Sequence, residues 1–109
     1  MNNFEVPSRV TELVVEAEAI VEALEAKAPG GRWAMTAFSR FRSLQLLGAP
    51  YQPYDGDLDG DPAELYEQAA SEIDQLDVPI DHLSWRLALA DALRSAAADV
   101  RMVQDAYDV

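Results

Sequence analysis

The sequence of 109 residues has no cysteine and a single histidine, His82. Without cysteine it has no disulfide, no thiolate metal ligand and no cysteine nucleophile, and the reducing cytoplasm is the expected location. One histidine excludes a histidine-based metal cluster and a Cys–His nucleophile pair. Because His82 follows Asp81 at the expected start of a helix, we predict a capping or surface role for it.

The sequence also lacks the segments typical of membrane proteins, secreted proteins and small nucleotide-processing enzymes. No apolar run approaches a membrane span, and the opening MNNFEVPSRV has no signal-peptide layout. There is no nucleophile elbow and no glycine-rich phosphate loop. The pairs Glu22/Glu25 and Glu64/Glu67 match E-x-x-E, half of the magnesium motif of all-α nucleotide pyrophosphatases, but no E-x-x-D follows at a useful distance. We therefore predict that the protein is not an enzyme and has no cofactor.

Basic residues are scarce, since eight Lys and Arg stand against 20 Asp and Glu, a formal net charge of −12. Such a charge repels phosphate backbones and attracts basic surfaces, so we predict a basic protein partner and no direct nucleic-acid binding. The acidity also has two possible causes unrelated to a partner. A high net charge keeps a protein in solution, and the single lysine, Lys27, together with abundant alanine fits a GC-rich genome or a salt-loving host.

Four segments repeat apolar residues every three or four positions, which is the period of an amphipathic α-helix. No segment indicates a strand, and 50% of the residues are hydrophobic, enough to form the core of one domain. We therefore predict an all-α, single-domain fold over residues 1–109, a bundle of about four amphipathic helices with up-and-down or closely related topology. The helices are expected from Ser8 to Ala28, from Arg32 to Leu47, from Asp61 to Leu76 and from Asp81 to Tyr107.

Capping residues mark the ends of these helices. Ser8, Asp61 and Asp81 are the expected N-caps, and Gly48 is the glycine that ends the second helix. Within the last helix, the pairs expected to form ion pairs at helical spacing are Asp91–Arg94 and Arg101–Asp105.

The second helix carries an aromatic stripe that is predicted to face the core. Arg42 and the apolar Met35 and Leu46 fall on the other side of this helix. The segment contains arginine and no acidic residue, unlike the other three helices. The aromatic stripe consists of Trp33, Ala37, Phe38, Phe41 and Leu44.

The connection from Gly48 to Asp61 is long for a compact domain, and ordered connections of this length often have a function. Its Asp55, Asp57 and Asp59, followed by Gly60, resemble the opening of an EF-hand calcium loop. The resemblance ends at the twelfth position, which is Tyr66 instead of the closing glutamate. We therefore favour a solvated acidic turn and keep these aspartates as a weak calcium candidate.

Acidic and tyrosine side chains supply the predicted partner-binding site. One row of glutamates is expected along an exposed edge of the first helix, and the acidic connection adds further carboxylates at spacings like those of a phosphate backbone. Tyrosines on a proline-stiffened loop make good contact residues, and they could equally fold back and cover the end of the bundle. We predict an inhibitor or adaptor that docks on a basic, nucleic-acid-binding surface as a nucleic-acid mimic would. The predicted site is Glu18, Glu22, Glu25, Tyr51, Tyr54, Asp55, Asp57, Asp59 and Asp61.

Two alternative functions follow from other features. Met35, Leu46, Leu87 and Met102, if exposed, would bury against further copies of the chain, which predicts a structural subunit that forms helical homo-oligomers. The six residues 75–80 resemble the short peptide with which bacterial proteins dock on the replicative sliding clamp. In that resemblance Gln75 provides hydrogen bonds, and the residues that fill an apolar cleft are Leu76, Val78 and Ile80.

Overall fold

The computed structural model describes residues 6–28, 30–48 and 52–107. This part of the chain contains helices and no strand, which confirms the all-α, four-helix prediction. A short 3-10 turn precedes α2 at Ala34–Thr36, and another precedes α4 at Ile80–His82. The four α-helices are α1, Ser8–Lys27; α2, Ala37–Leu47; α3, Pro62–Asp74; and α4, Leu83–Ala106. None of the helices in these ranges has the combined length and hydropathy needed to cross a membrane.

Two of the predicted helix ends are confirmed. The Asp61 carboxylate accepts a hydrogen bond from the backbone N–H of Ala63 (3.1 Å), with Pro62 as the first residue of α3. This N-cap satisfies an amide that has no partner inside the helix. At the end of α2, Gly48 takes a left-handed conformation with φ of 71°, which costs a residue without a Cβ little.

The predictions for Ser8 and Asp81 as N-caps are wrong. Ser8 is already the first residue of α1, because the Val10 N–H bonds the Pro7 carbonyl (3.0 Å), and no side-chain cap forms. Asp81 lies inside a 3-10 turn that begins one residue earlier. In both places a preceding proline with a helix-compatible φ allows the first turn to start sooner than the polar residue indicates.

Each packed pair of helices runs antiparallel: α1 with α3, α3 with α4, and α4 with α2. It follows that α2 and α3 point in the same direction, and that the chain between them crosses from one end of the bundle to the other. The topology is thus that of a four-helix bundle with one long crossover connection, which is closely related to the up-and-down bundle. The contacts that fix these directions are Gly60 beside Ile20, the shared groove of Arg9 and Glu72, Arg101–Glu67, Arg94–Asp74, Ser39–Asp99 and Trp85–Leu46.

The core lies between α1, α3 and α4 and is made of aliphatic side chains with Tyr66 and Trp33. The apolar residues at helical spacing in α4 are buried from Leu89 to Val103, whereas Trp85 is half-buried and Tyr107 is exposed. Arg94 and Arg101 bind acidic residues of α3, and not the predicted Asp91 and Asp105 of their own helix. The antiparallel packing of α3 brings its carboxylates within reach of both guanidinium groups.

The prediction that the aromatic stripe of α2 faces the core is wrong. Phe38 is 80% exposed and Phe41 is 57% exposed, whereas Trp33 is buried and Leu44 is half-buried. The helix instead turns inward Thr36, Ser39, Arg40, Ser43 and Leu47.

Polar partners on neighbouring helices explain this orientation of α2. Ser39 donates a hydrogen bond to Asp99 of α4 (2.7 Å), and Arg40 forms an ion pair with Glu18 of α1 (3.5 Å). Met35 is exposed, as predicted, but Leu46 packs against the core because its side of α2 adjoins α4.

Candidate binding site

Residues 52–61, which we call the crossover segment, lie along α1. Gly60 sits so close to Glu16 and Ile20 that a Cβ at Gly60 would lie 3.3 Å from the Glu16 carboxylate. Earlier in the segment, Tyr54 and Leu58 line one cavity together with residues of α1. The crossover segment therefore brings its own acidic residues next to those of α1.

Tyr54 lies where these acidic residues meet. Its hydroxyl donates a hydrogen bond to the Asp57 carbonyl (2.9 Å), which folds the half-buried ring back onto its own segment. Loss of solvent, followed by the charges of Glu16, Asp57 and Asp55, raises the pKa of Tyr54. The carboxylates that raise this pKa therefore belong to both α1 and the crossover segment. Tyr51, the other predicted tyrosine, lies outside the described residues.

Six carboxylates of α1 and of the crossover segment that lies along it form what we call the acidic face, with Glu16 on one side of α1 and Glu22 and Glu25 on the other. Five are exposed and Glu16 is half-buried. In the described ranges, the ion pairs use Glu18, Glu67, Asp74 and Asp81, so none of them neutralises a member of this group. The acidic face consists of Glu16, Glu22, Glu25, Asp55, Asp57 and Asp59. Asp61, also predicted for the site, is exposed but caps α3.

Glu18 does not belong to an exposed row, contrary to the prediction. Its half-buried carboxylate accepts a hydrogen bond from the Tyr66 hydroxyl and faces Arg40. Burial raises the pKa of Glu18, the Tyr66 hydrogen bond and Arg40 lower it, and Glu22 and Glu25 raise it further; burial outweighs the rest. Position 18 follows Ala17 of the core directly, so its side chain reaches the edge between α1 and the helices packed on it.

Arg40 and Tyr66 complete this buried charged contact, and neither is predicted for it from the sequence. Arg40 is only 2% exposed, and its Nε and Nη1 atoms make no hydrogen bond to the part of the chain that the structure describes. Burial, with the charge and hydrogen bond of Glu18, raises the pKa of Tyr66 well above its ordinary value of 10.0. The sequence does contain a signal for this inward face, because a second set of residues in the segment recurs with the same helical period as the aromatic stripe. The set is Thr36, Ser39 or Arg40, and Ser43.

A cavity of about 480 Å³ lies between α1, the end of α2 and the crossover segment. Its walls are mainly apolar, and two glutamates of α1 contribute the charged groups. Pockets with apolar walls and a few polar groups are typical ligand sites. The lining residues are Val14, Val15, Glu18, Ala19, Glu22, Leu44, Leu47, Gln52, Pro53, Tyr54 and Leu58.

The weak calcium candidate is not assembled as a metal site. Across residues 6–28, 30–48 and 52–107, no three His, Cys, Asp or Glu side chains come together in a way that would hold a metal ion. Asp55, Asp57 and Asp59 are each exposed on an irregular segment with bends at Gly56 and Gly60. Their carboxylates face solvent instead of a common centre.

The segment that resembles a clamp-binding peptide joins α3 to α4. Gln75 directly follows α3 and is exposed. Leu76 packs against the core, and its carbonyl accepts a hydrogen bond from Arg86 (3.0 Å). Val78 is half-buried, and Ile80 is 85% exposed. Leu76 is thus already used by the bundle, whereas Gln75 and Ile80 are accessible.

Compared with protein families, with curated proteins and with solved structures, the chain gives no match.

Proposed function

We propose that this protein is a non-enzymatic binding protein that docks its acidic face on a basic surface of a partner protein. The observation that carries the proposal is the packing of the crossover segment along α1. It puts the carboxylates of Asp55 and Asp57 in the same neighbourhood as Glu16, around the Tyr54 hydroxyl. A concentrated field of one sign speeds the encounter with a surface of the opposite sign and selects against acidic partners.

The geometry favours a partner that ordinarily binds a polyanion. Glu22 and Glu25 follow one edge of α1 at helical steps of about 5–6 Å, and the crossover segment adds a second row of carboxylates. An inhibitor with two such rows occupies the nucleic-acid groove of a basic protein by mimicking the phosphate backbone. An adaptor with the same face holds a basic protein without blocking its groove.

The test compares two variants that each remove four negative charges. In the first, Glu22→Gln, Glu25→Gln, Asp55→Asn and Asp57→Asn neutralise the acidic face. In the control, neutralisation falls on exposed acids elsewhere: Glu64→Gln, Glu72→Gln, Asp77→Asn and Asp91→Asn.

Both variants and the unaltered chain are immobilised and used to capture proteins from host lysate over a series of salt concentrations. We expect the unaltered chain and the control to retain the same basic protein, with affinity that falls steeply as salt increases. The acidic-face variant should lose it. Equal retention by all three chains, or equal loss from both variants, would contradict docking through this face.

Self-assembly through α2 is a second candidate, supported by the exposed aromatic side chains of that helix. Phe38 and Phe41 project outward, with Met35 exposed one turn before Phe38. Ser39 of α2 lies opposite Asp99 of the antiparallel α4, to which it donates a hydrogen bond. Exposed Met102 is therefore at the same height along the bundle as Met35. Because α2 has no acidic residue in a chain of net charge −12, two copies meet here with the least repulsion.

Sedimentation velocity separates assembly from docking as a monomer. If α2 mediates assembly, the unaltered chain sediments as a dimer at micromolar concentration, and Phe38→Ser with Phe41→Ser gives a monomer of unchanged helicity. A control pair away from this surface, Ile80→Ser with Leu87→Ser, tests whether any exposed apolar residue has the same effect. A monomeric unaltered chain would exclude this candidate.

A further inference from the structure

The cavity beside the crossover segment has walls suited to an aliphatic chain. Val15 and Ala19 of α1 form one wall, Leu44 and Leu47 of α2 another, and Leu58 of the crossover segment faces them. Its volume of about 480 Å³ is far larger than one lysine side chain needs and lies within the range of small-ligand sites. An apolar stem that enters the cavity is removed from water and gains contacts with hydrocarbon side chains.

The charged groups of the cavity are negative. Glu18 and Glu22 line it, and no basic side chain of the described ranges does. Arg40 lies deeper and offsets Glu18, with its Nε 3.5 Å from Glu18 Oε2. Among the described residues Glu22 has no such partner, and Asp55 and Asp57 add negative charge close to Tyr54 at the cavity wall. The cavity therefore stays negative after the pairing of Arg40 with Glu18.

We propose that this cavity binds a primary ammonium group at the end of an aliphatic stem, and that its occupant is a lysine side chain of the basic partner. The choice of a lysine rests on the proposed function; the ammonium site itself does not. Glu22 supplies the first carboxylate to the ammonium. The contacts of Glu18 with Tyr66 and Arg40 both fall on Oε2, so Oε1 is the oxygen assigned to the incoming group.

Lysine fits this site better than arginine for a chemical reason. An ammonium is a compact charge on a flexible four-carbon stem, whereas a guanidinium needs a planar, forked set of acceptors. The carboxylates sit beside aliphatic walls, an arrangement that suits a stem which buries its methylene groups and keeps its charge at one end. One lysine that enters the cavity would anchor the docked acidic face at a fixed position.

The probe for this proposal is n-pentylammonium, with n-pentanol as the neutral molecule of similar shape. Each is titrated into the full chain at low salt and followed by two-dimensional amide and methyl NMR. We expect saturable shifts at Val15, Ala19 and Leu58 with pentylammonium, and at least tenfold weaker binding of pentanol. Equal affinity for the two probes, or no saturable shift with the amine, would overturn the proposal.

Three variants locate the site. Ala19→Phe fills the cavity without changing charge and should abolish amine binding, and Val15→Phe, which fills it from another position on α1, should do the same. Glu22→Gln should weaken amine binding at least fivefold. Glu72→Gln, at an exposed position of α3 outside the cavity, is the matched control and should leave it unchanged. Thermal melts followed by circular dichroism confirm that each variant is folded.

The outcomes keep the two proposals apart. Amine shifts that persist in both filled variants would show attraction to the acidic surface only, and would overturn the cavity site. If the amine fails to bind while the acidic face still determines partner capture, the cavity inference is wrong and the docking proposal stands. If amine binding follows the variants but capture does not depend on the acidic face, the ammonium site stands without the docking proposal.

Discussion

Glu18, Arg40 and Tyr66 form a charged contact at the junction of α1, α2 and α3. Burying such a contact carries a desolvation penalty, and a well-packed apolar replacement is often as stable. Its effect here is geometric, because α2 has polar side chains on its inner face and an apolar outer face. The Arg40–Glu18 ion pair, together with the Ser39–Asp99 hydrogen bond, therefore determines which face of α2 turns inward.

Removal of Arg40 should cost less when Glu18 is neutralised as well. Arg40→Met leaves the half-buried Glu18 carboxylate without its counter-charge, so we expect a loss of about 1–3 kcal/mol at pH 7. The double variant with Glu18→Gln removes both charges, and we expect it to be at least as stable as the unaltered protein. Urea unfolding of the three proteins measures this. A double variant less stable than Arg40→Met alone would contradict the ion pair.

The raised pKa of Glu18 makes a prediction for stability against pH. Its folded pKa lies above the ordinary value of 4.5, so between the two values the folded protein binds more protons than the unfolded chain. The contribution of Glu18 to the free energy of unfolding is therefore greatest below pH 4.5, and it decreases as pH rises through the folded pKa. Glu18→Gln lacks this dependence, so the unaltered protein should lose stability relative to it between pH 4.5 and 7. A difference that is constant with pH, or of opposite sign, would refute the assignment.

At the scale of elements, the N-caps offer a matched pair of substitutions. Asp61 accepts a backbone hydrogen bond at the start of α3, whereas Ser8 makes no cap at the start of α1. We expect Asp61→Ala to cost about 1 kcal/mol and Ser8→Ala to cost less than about 0.5 kcal/mol. Urea denaturation gives both values. Equal costs would show that the Ser8 hydroxyl caps α1.

The orientation of α2, with its aromatic side chains facing outward, can be tested by truncating an exposed aromatic residue. Phe38 is 80% exposed, so we expect Phe38→Ala to change the free energy of unfolding by less than about 0.5 kcal/mol. Ile73 of α3 is fully buried, and Ile73→Ala should cost about 2–5 kcal/mol. A comparable loss from Phe38→Ala would mean that the aromatic stripe does face the core.

The two faces of α2 show what the sequence can and cannot predict at this scale. In α3 and α4 the apolar residues that recur at helical spacing are the buried ones, because apolar and polar residues separate clearly there. In α2 the set with Thr36, Arg40 and Ser43 has the same period as the set with Phe38 and Phe41. Asp99, which selects the first set, lies 60 residues from Ser39 in the chain, so no local pattern contains the choice.

For the whole molecule, the direction of the crossover segment determines the candidate site. The acidic composition of α1 and of the connection is evident from the sequence, and so is the length of the connection. Their contact is not evident, because it depends on α3 packing antiparallel to α1, which requires the chain to cross the bundle. The same packing creates the cavity and withdraws Glu18 from the surface, and neither result follows from residue spacing within α1.

The unequal pairing of charges predicts how the whole molecule responds to salt. Arg94 and Arg101 pair with α3 at the surface, and each such pair contributes at most about 1 kcal/mol. The acidic face and most other carboxylates have no cationic partner in the described ranges, so repulsion between them opposes the folded state. Between about 0.01 M and 1 M NaCl the Debye length falls from about 30 Å to about 3 Å. Screening should therefore remove more repulsion than attraction.

We expect the melting temperature to rise over this range by at least about 4 °C, the shift that about 1 kcal/mol produces in a small domain. Scanning calorimetry in NaCl, repeated in KCl, measures the rise and tests for a specific cation effect. The variant with a neutralised acidic face should gain less from salt than the control variant of equal charge, because the crowded carboxylates repel one another most. A melting temperature that falls with salt would mean that the ion pairs of α3 and α4 outweigh the repulsion. Equal gains in the two variants would mean that the acidic residues are spread evenly instead of gathered along α1 and the crossover segment.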